Sequence, residues 1–177
     1  MNSFAASFGL PVGIMVGLVL VVILLKYINR DKKLKTEYDE RQKIARGRSY
    51  MFGFYALAIS IVIMLVVGAM NDDIIRILGM NAFFAPLMIG IIVQISHAIF
   101  NDCYMGLNNN LTRYMVVMTF ISIFNLVCGI VPLVKDGFIQ NGKLYIPFIN
   151  LEVGVMFIII CIEMGIKKAI DKREDEE

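Results

Sequence analysis

The chain has 177 residues, 58% of them hydrophobic and 18% charged, with a mean hydropathy of +0.72. That balance excludes an ordinary water-soluble domain and a disordered chain. A net charge of +2 is too small to point to nucleic acid, and three cysteines without a Cys-x-x-Cys pair argue against a disulfide framework or a zinc site.

The apolar residues come in blocks close to the ~20 residues that a helix needs to cross a bilayer. In chain order the predicted spans are Phe4 to Tyr27, Tyr50 to Met70, Ala82 to Phe100, Leu111 to Val134 and Leu151 to Ile170. No Lys or Arg precedes the first block, unlike a secretory signal, so it is expected to be retained as a transmembrane helix. Within it Gly9, Gly13 and Gly17 recur every four residues, two overlapping Gly-x-x-x-Gly motifs. Such a stripe suits close approach of another helix, from the same bundle or from a second copy.

The connections have their own signals. In the basic segment 26–49, Thr36 and Asp39 resemble a capping box, and Glu37 to Arg41 and Asp39 to Lys43 are acid-before-base pairs one turn apart. A helix is expected to start there and to run without a break toward Met70. After the second span, Asn71 is a good N-cap, Asp72 and Asp73 suit a first turn and Gly79 can close the last, which predicts a short helix lying on the outer leaflet. Asn141-Gly142, between two apolar-rich runs in segment 137–147, predicts a small β-hairpin ended by Pro147. The tail 171–177 mixes signs and then turns acidic, as a solvated, frayed helix end does. The expected fold is all-α: one integral membrane bundle of five transmembrane helices, with a charged amphipathic helix on the cytoplasmic side and the hairpin on the outer side.

Orientation follows from the Lys and Arg residues, which are retained in the cytoplasm. An outer N-terminus puts fourteen of them on the cytoplasmic side and three outside. The basic segment alone holds nine against Asp31, Glu37, Asp39 and Glu40, a local excess of +5. Asp39, Glu40, Arg41, Gln42, Lys43 and Arg46 are therefore candidates for docking a partner protein or anionic membrane lipid, although the same charges would serve simply to set orientation.

Asp39-Glu40-Arg41-Gln42 followed by Ala45-Arg46-Gly47, directly ahead of Tyr50, Phe52, Phe54 and Tyr55, resembles a juxtamembrane segment of small multi-pass membrane proteins of Gram-positive bacteria that have no assigned function. The stretch Asp102-Cys103-Tyr104-Met105-Gly106-Leu107-Asn108 resembles a second segment of the same group. The resemblance implies a bacterial plasma membrane and carries over no activity, cofactor or catalytic residue.

Polar residues inside a bilayer are costly unless paired, so they are the default candidates for function. Here they are Ser60, Gln94, Ser96, His97, Asn125 and Glu163. The third and fifth spans run in the same direction, which puts His97 and Glu163 at comparable depth, where a contact would form a proton-accepting or cation-binding pair. Alternatively Lys167, one turn on, neutralises Glu163, and His97 serves as a hydrogen-bonding group between helices. Asp102, Tyr104 and Asn108 belong to a polar cytoplasmic turn in which an asparagine can cap the fourth span. There is no His-Glu-x-x-His, no Gly-x-Ser-x-Gly and no Walker loop, so no catalytic residue, metal ligand or cofactor is expected. The expected function is noncatalytic: binding another membrane component, as a regulatory, immunity or accessory subunit, or self-association. The alternative is an oligomeric transporter or channel subunit with a path lined by Gln94, His97, Asn125 and Glu163.

Overall fold

The computed structural model describes Val19 and residues 37–107, 111–174 and 176. The predicted first span with Gly9, Gly13 and Gly17 lies outside the described residues, as do Thr36 and Asn108. The chain divides into two units, Met1–Glu37 and Tyr38–Glu177, and the architecture below is that of the second.

Five helices and one hairpin make up this unit: α1 (Glu40–Met70), α2 (Asp72–Leu78), α3 (Asn81–Phe100), α4 (Leu111–Asp136), strands β1 (Ile139–Gln140) and β2 (Lys143–Leu144), and α5 (Phe148–Glu174). All but α2 are long and apolar enough to cross a membrane. As expected, the charged segment from Glu40 runs unbroken into the second predicted span, because no proline interrupts it before Met70. Its start differs from the expectation. The capping box is formed by Asp39 and Gln42: the Asp39 carboxylate accepts from the Gln42 N–H at 2.6 Å, and the Gln42 side chain accepts from the Asp39 N–H at 3.4 Å. An acceptor followed three residues later by Gln is the same signal one element further on. The last two spans are also longer than expected, reaching Asp136 and covering Phe148–Glu174, so most of the acidic tail is helical.

The short helix and the hairpin follow their local signals. Asn71, extended at φ −155°, ends α1 and caps α2 by accepting from the Asp73 N–H at 3.0 Å. Gly79 closes α2 at φ +57°, where its N–H reaches Ile75. Strand pairing is antiparallel, Ile139 with Leu144 and Gln140 with Lys143, across Asn141 (φ 51°) and Gly142 (φ 72°). Two positive φ values in a two-residue loop are what a right-twisted hairpin needs.

The bundle is two helix pairs joined edge to edge: α1 along α3, α4 along α5, and α3 against α5. Small residues set the crossings. A Cβ on Gly53 of α1 would stand 2.6 Å from Gln94 Cβ and 2.9 Å from the Gly90 carbonyl oxygen, and one on Gly90 would meet Leu57 Cβ at 2.8 Å. Neither glycine has room for a side chain, so the two backbones touch. In the other pair, Gly154 of α5 faces Leu126, and buried Ser122 of α4 donates to the Gly154 carbonyl at 2.9 Å. Close backbones with a hydroxyl bonded across them are how helices pack where apolar burial gives no preference between helix and lipid. The core, Ile99, Met156, Ile160 and Met164, fills the α3–α5 seam.

Candidate functional site at the basic end of the bundle

The starts of α1 and α4 and the ends of α3 and α5 share one end of the bundle. It carries Arg41, Lys43, Arg46, Arg48, Lys167, Lys168, Lys172 and Arg173, together with the acidic Asp39, Glu40, Asp102, Asp171, Glu174 and Glu176. There, two segments some 60 residues apart in sequence, around Asp39–Arg46 and Asp102–Met105, meet.

Their junction is built on Asp102. Following α3, this residue adopts φ 54°, a left-handed turn that short polar side chains tolerate. Cys103 and Tyr104 N–H groups turn back onto the Ala98 carbonyl, at 2.9 and 3.0 Å. The turn aims the Asp102 carbonyl outward, where Gln42 Nε2 donates to it at 2.7 Å and to the Met105 carbonyl at 3.2 Å. The Asp102 carboxylate faces the other way, 2.9 Å from Lys167 Nζ on α5. Lys167 is only 17% exposed and also holds Asp171, at 2.6 Å. Thus the capping box that starts α1 orients the side chain that holds the turn, and the turn is tied in turn to α5.

A second layer lies beneath. Arg46 stacks over the Tyr38 ring at 4.1 Å and donates to the Tyr50 hydroxyl at 3.1 Å, while the Tyr38 hydroxyl donates to the Tyr104 carbonyl at 3.4 Å. Burial, then the neighbouring Tyr114, pushes the Tyr104 phenol above its ordinary range. Ser49, 2% exposed, stands 2.9 Å from both the Ala45 carbonyl and His97 Nδ1, and 3.6 Å from Cys103 Sγ. A serine has one proton and the carbonyl can only accept, so both contacts are satisfied when Nδ1 carries the hydrogen. The Phe52 ring packs on the imidazole at 4.6 Å between centroids.

Between the turn and α5 opens a cleft of about 280 Å³. Ile99, Leu111 and Met164 give it an apolar floor; Gln42, Lys168 and Asp171 stand at its polar mouth. Its character is amphiphilic, with the carboxylates of Asp102 and Asp171 already matched by Lys167. Among the described residues no group of His, Cys, Asp and Glu is arranged to hold a metal ion.

Of the residues singled out in the sequence, Asp39, Gln42, Arg46, Asp102 and Tyr104 come together here; Glu40, Arg41 and Lys43 are exposed beside them. The intramembrane candidates do not assemble into one path. His97 bonds Ser49 on α1, a hydrogen bond between helices, whereas Glu163 accepts from Ser96 at 2.7 Å, so the adjacent residues 96 and 97 face different helices and, of the two alternatives, the His97–Glu163 contact is not formed. Nor does Lys167 neutralise Glu163, since Lys167 turns to Asp102 and Asp171. Asn125 donates to the Ile121 carbonyl of its own helix, and Gln94 packs against Gly53. Sequence reasoning missed Ser49 and Cys103, which lie outside the predicted spans, and Glu152, whose Oε2 is buried without a hydrogen-bond partner among the described residues. Only its place one residue inside the fifth predicted span marked Glu152.

Set against known proteins, the chain matches no family model, no curated protein and no solved structure.

Proposed function

We propose that this is a multi-pass membrane protein that works without catalysis, holding another membrane component at its basic end. The observation that carries the reading is the convergence of two distant segments on one amphiphilic cleft, with Arg41 and Lys43, the sequence neighbours of Gln42, exposed and free of any ion pair among the described residues. A rigid rim beside open cations suits recognition of a partner's acidic juxtamembrane segment, where charge gives encounter and orientation. The positive-inside distribution supports a cytoplasmic location for this end with the N-terminus outside, and the resemblance of Asp39–Gly47 supports a bacterial plasma membrane.

The test is crosslinking in intact membranes with the double variant Arg41→Glu, Lys43→Glu. Both side chains are exposed, so the fold and the insertion should persist while partner capture falls. Capture at the wild-type level in the double variant would remove the reading. A transport subunit is the second reading, favoured by one observation: Glu163 Oε2 is buried between α3 and α5 without a hydrogen-bond partner among the described residues. It requires Glu163→Gln to change solute flux in proteoliposomes, and equal flux in variant and wild type would end it.

A further inference from the structure

Away from the basic end, α1 and α3 part from their crossing at Gly53 and Gly90, and α2 lies across the gap. The three helices enclose an open groove of about 630 Å³. Ile61 and Leu65 of α1 and Phe83 of α3 line its walls with the small Ala69, and Gly68 lets α2 close on α1, where a Cβ would stand 2.8 Å from Ile75 Cγ1. Leu65 is 68% exposed and Phe83 78% among the described residues. An apolar groove this open would be a liability in water, but between spanning helices the surrounding medium is acyl chain.

The rim identifies the occupant. Asp72 and Arg76, one turn apart on α2, border the groove where α1 ends. A guanidinium has five N–H donors, and Asp73 engages only one nitrogen of Arg76, whose side chain is 71% exposed. The rest are open to a phosphate, in the bidentate manner that arginine favours. The Asp72 carboxylate has no side-chain partner among the described residues and can accept from an ammonium. The rim thus holds one guanidinium and two carboxylates, Asp73 already on Arg76 and Asp72 open, and a headgroup that brings a phosphate for the remaining Arg76 donors and an N–H-bearing ammonium for Asp72 complements it. A purely acidic headgroup would leave Asp72 repelled, and a quaternary amine would offer it no hydrogen bond.

We infer that the groove under α2 seats one phospholipid with a primary-amine headgroup, its acyl chain along Ile61, Leu65 and Phe83, its phosphate at Arg76 and its ammonium at Asp72. The inference rests on the membrane reading above. To test it, the protein is reconstituted in phosphatidylcholine vesicles containing a trace of phosphatidylethanolamine with a diazirine on its acyl chain. Resistance to alkaline extraction reports insertion, and mass spectrometry maps the adducts after illumination. Adducts should concentrate on the parts of α1 and α3 nearest α2, and unlabelled phosphatidylethanolamine should compete far better than phosphatidylglycerol. Arg76→Ala, an exposed change that leaves the fold intact, should weaken the seat by about tenfold, the worth of one charge-assisted contact. Ala69→Phe, which fills the slot, should abolish labelling there. Adducts spread evenly over the four long helices, or labelling unmoved by both substitutions, would each overturn the lipid seat. Release by alkaline extraction would instead overturn the membrane reading itself, and the seat with it.

Discussion

At the hairpin end, each change of direction is made by residues adjacent in sequence: Asn71 caps α2, Gly79 closes it, and Asn141-Gly142 turns the strands. At the basic end the holds are long-range, with Gln42 reaching Asp102 and Met105, Ser49 reaching His97, and Lys167 reaching Asp102. A local stop can be altered without disturbing its neighbours, whereas a long-range hold couples helices that are otherwise joined only by packing. The contacts at the basic end therefore predict that a change at one helix is felt by the others there.

The largest expected effect erases the distinction. Gly53→Leu puts a branched side chain where Gln94 Cβ and the Gly90 carbonyl leave no room even for a Cβ. Overpacking of this kind costs about 3 kcal/mol or more. Because the α1–α3 crossing supports both ends, thermal unfolding in mild detergent should shift down and hydrogen exchange should rise at the Asp102 turn and at α2 together. A rise at only one end would mean that the crossing is not the common support.

What could be read from the sequence divides along the same line. The hairpin, the Asn71 cap, the Gly79 stop and the approximate spans were legible, because turn chemistry and hydropathy act within a few residues. The hydrogen bonds of the basic end were not, since no spacing rule relates Gln42 to Asp102 or Ser49 to His97. The glycines of the α1–α3 crossing were not legible for a related reason. Gly9, Gly13 and Gly17 stand out by their regular repeat, yet they lie outside the described residues, while the crossing that can be seen uses Gly53 and Gly90, one on each helix and invisible as a motif. The segments around Asp39–Arg46 and Asp102–Met105 stood out separately, and only the fold brings them into contact.

Removing one hold at the basic end should disturb that end alone. Ser49→Ala leaves His97 Nδ1 and Cys103 without their shared partner in a buried setting. An unsatisfied buried donor costs about 1–3 kcal/mol, so the unfolding midpoint should fall and the His97 ring, followed by NMR, should change its environment while α2 and the hairpin keep theirs. Gln42→Ala deletes two bonds to the turn at the membrane edge, where water can partly replace them. About 1 kcal/mol is expected, read as faster exchange at residues 103–107 with no change at 139–146. Equal acceleration at the hairpin would show that the two ends are not independent.

The smallest effect gives the sharpest contrast, because each end has a helix N-cap that bonds through its side chain, Asn71 at one and Asp39 at the other. Replacing a capping Asp or Asn by Ala costs about 1 kcal/mol in either setting. In Asn71→Ala that loss falls on a seven-residue helix, too short to persist without its cap. α2 should fray, yet Gly79 and the hairpin turn stand on their own signals, so exchange should rise in residues 72–78 and stop there. In Asp39→Ala the affected helix has 31 residues and survives as a helix. What is lost is the capping box that orients Gln42, and with it the grip on the Asp102 and Met105 carbonyls. The disturbance should therefore appear on the far side of the sequence, in the turn that follows α3 and in the Lys167–Asp102 pair, rather than only in the first turn of α1. Two substitutions of similar energy would then differ in reach, local at one end and transmitted at the other. A matched pair of hydrogen-exchange profiles, each confined to its own helix, would refute the idea that the basic end is coupled.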